Sequence, residues 1–577
     1  MPGSSYQKEL VRLRELAPRF SDAWPALAPM LAGPTTDPDA ERLLEGVAFK
    51  IGLMRERLES DFPEIVHEYF QRLLPHYLLP FPAATIVSFS LDPSALESCV
   101  VPAGTRLSSI PLDGTSCVFS TTSTVEVHPL RLTDASLSRE KVSETAVVLS
   151  LESVGMPLSQ WRPGPLRIHV TGDYVPTTDL FLLLSRHVRS IVLTPARGGS
   201  PFFLPPDSLR PVGLEAEDSP LPYPPNAFPG FRLLREYFAF REKFPAFDLY
   251  GLDLWRDRGD GTGFLIRLEL DHPPGAETRI GSEHFALFAT PAVNIFPHEA
   301  DPIVLDHRSS THLLRPAAPN PAHYRIFSVD GVSGFFRRTG RERRYAPLDL
   351  FREVAPEQPV YHAVPVRSQV HAGYDLRLSV GMPLGGALPE EETLSIQLTC
   401  TNGVLPEGLR IGDVSELPPG LPDSLSVRNI TPIRPGTFPP LEPDLPERLT
   451  RHLYLNCLTL GNGANLRSLL ELYVFSGNRS RASSDADLKR IAGIEEVTVL
   501  ASERWVNGVP MTGREVRVKV RRDHFAGPGD LYLFGCVLDR FMAECAEPNT
   551  FTVLIVQESI KGGGYQWPPR LGRKPLR

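Results

Sequence analysis

The 577-residue sequence has no G-x-S-x-G elbow, no H-E-x-x-H pair and no G-x-x-x-x-G-K-[ST] loop. The nucleophile, zinc and phosphate frames of common hydrolases and NTPases are therefore missing. Its six cysteines, at 99, 117, 400, 457, 536 and 545, form no C-x-x-C and read as reduced, packed thiols. The fifteen histidines include no H-x-H or H-x-x-x-H pair, and His67 reads as a helix-surface residue, so no metal and no cofactor is expected. "GNGANL" at Gly461 lacks the third glycine of a dinucleotide loop and reads as a turn. "DRGDGTG", Asp257 to Gly263, fails the ligand spacing of a calcium loop and reads as a hairpin turn. Acids distant in sequence can still converge in a fold. The net charge of −8 gives no global attraction to nucleic acid or to an anionic membrane surface. The longest apolar run, "DLFLLLSRHV", falls short of the about 20 residues that span a bilayer, so no direct membrane insertion is expected. With no secretory signal in the first residues, a cytoplasmic location follows.

What is abundant is proline. Fifty-nine prolines and forty-four glycines interrupt the chain every few residues and disfavour long helices. Hydrophobic residues at 42% and charged residues at 22% are ordinary for a globular protein, and the length implies several domains. Periodicity predicts helices over 6–20, 37–59 and 63–75, then a change at Ala84 to the alternation of strands. The fold class is α+β and multidomain: a small N-terminal helical unit (1–82), a β-rich, sandwich-like domain (83–200), a linker with a second β-rich domain (201–345), and a mixed α/β C-terminal part (346–577). The proline-dense stretch 201–229 reads as a linker, and the basic run "FFRRTGRERRYAP" as a solvated loop.

Two features point outward. In helix 37–59, Leu43, Leu44, Val47, Ala48, Ile51, Met54 and Leu58 form a broad core stripe, and Gly46, Phe49 and Leu53 form a narrow one nearly opposite. Neighbouring helices of the chain sandwich such a helix, or the narrow stripe is a partner's interface. The tail "KGGGYQWPPRLGRKPLR" carries cations and no acid, either as a disordered basic tail or as a dock for an acidic partner through Trp567 and Arg570.

Ten phrases in order, among them "DPDAERLLEGVAF", "LLPHYLLPFPA", "LRIHVTGD", "PGFRLLREYFAFREKF", "TPAVNIF", "LTCTNGVLP", "DLYLFGCVLDRFMA" and "WPPRLGR", run along nearly the whole chain. In them the sequence resembles the TssF (ImpG/VasA) family of type VI secretion system baseplate subunits. Arg241 stands where the family's F-P-E-K-F phrase carries proline, and the stretch from Phe335 to Val370 matches no pattern of the family. The resemblance implies a non-enzymatic wedge subunit at the cytoplasmic face of the inner membrane. It implies association with TssG, two copies to one, and with TssE, TssK, a VgrG spike and a second copy of itself, as the platform on which tube and sheath polymerise. The alternatives are a wedge protein of a phage-like contractile particle, and a β-rich hydrolase or carbohydrate-binding protein, which would need a concave site with convergent acids or aromatics.

Overall fold

The computed structural model describes residues 10–11, 42, 45–50, 75–93, 95, 97–139, 145–223, 229–275, 279–306, 308–336, 339–348, 358–368, 374–382, 391–437, 459–475, 481–506, 508–559 and 562–572. The chain divides into two compact units, Met1–Leu74 with Leu441–Leu453, and Pro75–Pro440 with Tyr454–Arg577. In the first, residues 10–11, 42 and 45–50 are helical. Most of the three predicted N-terminal helices, and Cys457, lie outside the described residues.

The second unit holds six described helices: α1 (Pro75–Leu78), α2 (Tyr174–Arg186), α3 (Pro229–Ala239), α4 (Gly463–Glu471), α5 (Arg481–Ala492) and α6 (Pro528–Glu544). None of the described helices is long and apolar enough to cross a membrane. Its sheets do not follow the sequence divisions at 200 and 345. A six-stranded base sheet runs Val414–Glu416, Arg106–Leu112, Thr115–Thr121, Ala289–Val293, Ala84–Leu91, Leu425–Asn429, drawing strands from all three stretches. Two modules are inserted into it. The first, between Thr121 and Ala289, holds a five-stranded sheet and the four-stranded sheet Leu209–Val212, Ala246–Leu249, Leu166–Val170, Phe285–Leu287. The second, between Val293 and Val414, holds an eight-stranded sheet. After the base sheet, α4 to α6 cover a C-terminal sheet ordered Ile494–Val506, Val509–Val520, Phe551–Glu558, Gly564–Gln566.

Two sequence expectations need correction. Residues 202–204 and 209–212 of the proposed linker are strands that extend the two sheets of the first insert: Leu204 and Leu209 face the core (4% and 7% exposed), and Pro211 is tolerated because its strand is at a sheet edge. The basic run is a hairpin as well: Arg325–Phe336 pairs with Glu342–Pro347, Val332 opposite Tyr345. Val332, Phe336 and Tyr345 point inward and Arg341 and Arg344 outward, with Arg343 lying 4.5 Å over the Phe336 ring.

Asparagine ties the second insert to its base. Asn294, just past strand Ala289–Val293, and Asn402, where the insert returns, are 0% and 1% exposed. The Asn294 amide donates to the Val118 carbonyl and to Asn402 Oδ1, both at 2.8 Å. The Asn402 N–H donates back to Asn294 Oδ1 at 2.6 Å, and Asn402 Oδ1 also accepts the Val118 N–H at 3.0 Å. Both entry and exit of the insert are thus locked to one central strand by groups that burial leaves no alternative partner in water.

Two buried histidines carry a pH dependence. His128 receives or gives a bond at Ser98 Oγ (2.8 Å), has Glu126 at 3.9 Å and is wedged against Trp161 and Phe288; His169 meets the Glu242 carbonyl at 2.8 Å. Burial pushes each imidazole down to about 4. Both are neutral in the native state, whereas the unfolded chain binds their protons below about 6.5. Their contribution is therefore complete above that pH and is lost as pH falls toward 4, by up to roughly 3 kcal/mol each. Urea titrations across this window should show the falling midpoint, and His169→Gln should flatten it. A second test is steric: a Cβ on Gly529 of α6 would sit 2.2 Å from the Thr178 backbone of α2. Gly529→Ala should cost about 1–3 kcal/mol or more in the same titration.

Candidate partner interfaces and the buried cluster behind them

α6 is buried around nearly its whole circumference, with fourteen of its seventeen residues buried, the pattern of a central helix rather than a surface one. It packs between α2 and α3 on one side and the C-terminal sheet on the other. Its first turn carries Asp530, fully buried, which accepts from Tyr174 OH (2.6 Å), from Arg490 Nε (2.7 Å) and from the Ala526 N–H (2.9 Å). Arg490 also reaches Asp487 Oδ1 (3.1 Å), and Asp487, itself unexposed, is ion-paired with Arg241. Arg241 lies 4.7 Å over the Tyr237 ring, and Arg490 lies 5.4 Å over that of Tyr174. Two arginines and two aspartates thus close a neutral cluster joining α2, α5, α6 and the turn after α3. Burial raises the Tyr174 phenol well above its ordinary range, which keeps it a donor.

A second buried cluster lies along α3, where Glu236 accepts from Arg232 (2.9 Å) and Ser219 Oγ (3.1 Å) and is ion-paired with Lys243. Arg235, 0% exposed, donates to the Leu79 carbonyl and lies 5.6 Å over Phe475. Tyr77 OH donates to the Leu472 carbonyl at 3.0 Å, so α1 is held from both directions.

The outward features separate clearly. Gly46 is exposed, with nothing within 4 Å of where a Cβ would stand, and Phe49 is half-exposed, while Ala48 between them is 0% exposed. Val47, assigned to the core stripe, is 42% exposed, so the outward face is wider than the periodicity predicts. Leu53 lies outside the described residues. Trp567 needs correction as a docking residue. It is 5% exposed, stacks on Tyr532 (5.6 Å between centroids) and directs its indole N–H at Cys536 Sγ (3.4 Å). Gly535 makes the room: a Cβ there would lie 2.2 Å from the indole. The preceding residues 564–566 and the following 570–571 are strands, so this part of the tail is folded. Arg570 is ion-paired with Asp539, whose carboxyl burial pushes upward against the pull of that arginine. The "GNGANL" turn leads into α4, with Asn462 Oδ1 capping the Ala464 N–H at 2.9 Å.

Sequence reading missed one exposed element. The strands Ile494–Val506 and Val509–Val520 form a hairpin, and its third-strand partner begins only at Gly513. Beyond that point the ribbon is two-stranded, and Trp505, opposite Pro510, is 75% exposed. The Asn507-Gly508 pair between alternating residues was the available signal. Among the described residues no three His, Cys, Asp or Glu are placed to hold a metal. The five described cysteines are unbridged, and burial pushes the Cys117 thiol up to about 11.

Comparison with known proteins places these features in context. The family model for TssF of the type VI secretion system matches residues 3–574. The type VI secretion system component TssF1 of Pseudomonas aeruginosa is 29% identical over 623 aligned positions, covering 99% of this chain and 98% of that protein. A chain in the cryo-electron microscopy structure of a type VI secretion system TssK-TssF-TssG baseplate subcomplex is 28% identical with a TM-score of 0.74, covering 93% of this chain and 99% of that one. A chain of the baseplate complex from the type VI secretion system is 25% identical with a TM-score of 0.65 over 100% of both.

The buried cluster yields a double-mutant test. Asp487→Ala should cost about 3–5 kcal/mol in urea denaturation, because it strips Arg241 of its carboxylate. Adding Arg241→Met should recover a large part of that loss, and a merely additive result would mean the pair is not coupled.

Proposed function

The chain belongs to the TssF family of the type VI secretion system, and from that premise we propose that it is a structural wedge subunit of the secretion baseplate, acting through interfaces rather than catalysis. The observation that carries this reading is the extent of the likeness, which spans the helical unit, the base sheet, both inserts and the C-terminal module together. Baseplate membership is the coarse conclusion. In the finer reading the chain joins TssK- and TssG-like proteins, two copies to one TssG-like chain. It also meets a TssE-like subunit, a VgrG-like spike and its own second copy at the cytoplasmic face of the inner membrane, where tube and sheath polymerise.

The N-terminal helix supplies the first candidate contact. Val47 and Phe49 expose apolar surface beside Gly46, whose missing side chain lets another backbone approach closely. We assign Gly46, Phe49 and Leu53 to the TssG-like partner. Burying one such side chain contributes roughly 1.5–3 kcal/mol, so its loss should weaken association about 10-fold or more.

Co-expression with the TssG-like protein tests this directly. Phe49→Asp and Leu53→Asp should leave the circular dichroism spectrum and melting temperature of the chain intact while reducing the co-purified partner. Normal co-purification of both folded variants would sink the assignment.

A further inference from the structure

The C-terminal sheet ends in a long edge. Ile494–Val506 pairs along its length with Val509–Val520 on one side, and no described strand pairs with its other side. α4 closes only the start of that edge, where Arg467 donates to the Ile494 carbonyl and Gly463 lies against the backbone of Glu495. From Glu496 onward, every second residue turns its N–H and C=O outward. Protein edges are commonly blunted by shortness, proline, lysine or a bulge. The other outer strands of the described sheets span two to five residues, apart from Leu130–Arg139, which is bulged between Leu132 and Asp134. Ile494–Val506 spans thirteen residues without proline or lysine, and its bulge lies at the base, between Ile494 and Glu496.

The strand is complementary to itself. In an antiparallel pairing with an identical strand centred on Leu500, Glu496 falls opposite Arg504, Thr498 opposite Ser502 and Leu500 opposite Leu500, all on one face. On the other face Val499 meets Ala501 and Val497 meets Glu503. Moving the centre to Val499 sets Glu495 against Glu503, and moving it to Ala501 leaves both Glu496 and Arg504 without an opposite charge. Parallel in-register pairing stacks every charge on its like. Because cross-strand opposite charges stabilise and like charges destabilise, only the Leu500 register satisfies the edge. The groups are available for it. Glu496 is exposed and in no ion pair among the described residues, and Leu500 is 41% exposed. Glu515 holds Arg504 on this face at 2.7 Å but is shared with Arg517, so the group keeps a net positive charge.

We propose that the edge from Glu496 to Arg504 docks the same edge of a second copy of this chain, joining two C-terminal sheets into one about a two-fold axis at Leu500. The interface is isologous, so each Glu496–Arg504 pair occurs twice. Trp505, 75% exposed and on the face of Val497 and Val499, then comes to lie beside the start of α4 in the second copy. The inference deepens the proposed function by giving the second copy a surface, and rests on that reading for the presence of two copies.

Sedimentation velocity of the full-length chain tests it. A concentration-dependent dimer is expected. Glu496→Arg and Arg504→Glu should each weaken self-association about 10-fold or more with an unchanged circular dichroism spectrum. An equimolar mixture of the two variants should restore it, because each chain then meets opposite charge at both ends of the pairing, a recovery that a merely structural role would not produce. Leu500→Cys leaves those charges in place and should form a chain-to-chain disulfide on mild oxidation, since residues on the axis stand within disulfide reach. Ala501→Cys, opposite Val499, should not. A monomeric wild type, equal association of both charge variants, a mixture without recovery or cross-linking equal at 500 and 501 overturns the proposal. So does a variant that loses a different protein while its self-association is unchanged, because the edge then serves a foreign strand. Co-purification with the TssG-like protein separates the two readings: if it persists while the edge tests fail, only this inference falls, and if the wild-type chain does not co-purify, the proposed function falls.

Discussion

The C-terminal module depends on a carboxylate with no exposed surface. Asp530 opens α6, where the helix dipole favours an anion, and it is satisfied by a phenol, a guanidinium and a backbone N–H from three separate segments. A buried charge of this kind is expensive to strand, so the elements that supply its partners must arrive together. α2 comes from the first insert, α5 and α6 from the C-terminal module, and Arg241 from the turn after α3. Apolar packing alone would tolerate sliding among these helices. The cluster does not, since displacing α6 by even one turn would bring an apolar residue to the place of Asp530.

A similar logic governs the inserts. An interrupted base sheet gains rigidity only if each excursion leaves and returns at fixed places, and the Asn294–Asn402 exchange supplies that fixity for the second insert. Arg167 and Asp248 do so within the first, meeting through two bonds of 2.7 Å across the four-stranded sheet. Polar clamps at roots and apolar cores in the sheets divide the labour: the cores supply stability, and the clamps select one arrangement among several that would bury similar area.

Local pattern carried much of this architecture. Amphipathic spacing in "GFRLLREYF" and "ANLRSLLE" and the continuous apolar run "DLYLFGCVLDRFMA" mark α3, α4 and α6 locally, and the shift to alternation at Ala84 marks the start of the base sheet. Partner strands were not legible, because pairing Val414–Glu416 with Arg106–Leu112 joins residues some three hundred apart and leaves no local trace. α5 was missed because "RASSDADLKRIA" buries Ser484, Asp487 and Arg490, polar residues that hydrophobic periodicity scores as surface. The same blindness made Trp567 look like an outward anchor in a basic tail. Its burial is legible only with Gly535, thirty-two residues earlier, which vacates the space the indole fills.

These placements are exceptions to the usual division for a globular protein, in which charge lies outside and large aromatics inside. Here Arg235, Glu236, Lys243, Asp487 and Asp530 are at most 1% exposed, while Trp505 and Phe203 are 75% and 68% exposed. The exceptions are coherent for an assembly subunit. Interior ion pairs make the scaffold intolerant of rearrangement, so contacts at its periphery do not lose their free energy in reshaping it. Peripheral aromatics on a two-stranded ribbon or an edge strand have little to hold them in an isolated chain and much to gain from a partner. A stiff interior and an incompletely covered rim are thus two aspects of one design, since a rim that recognises several neighbours is useful only if the body behind it keeps its faces in register.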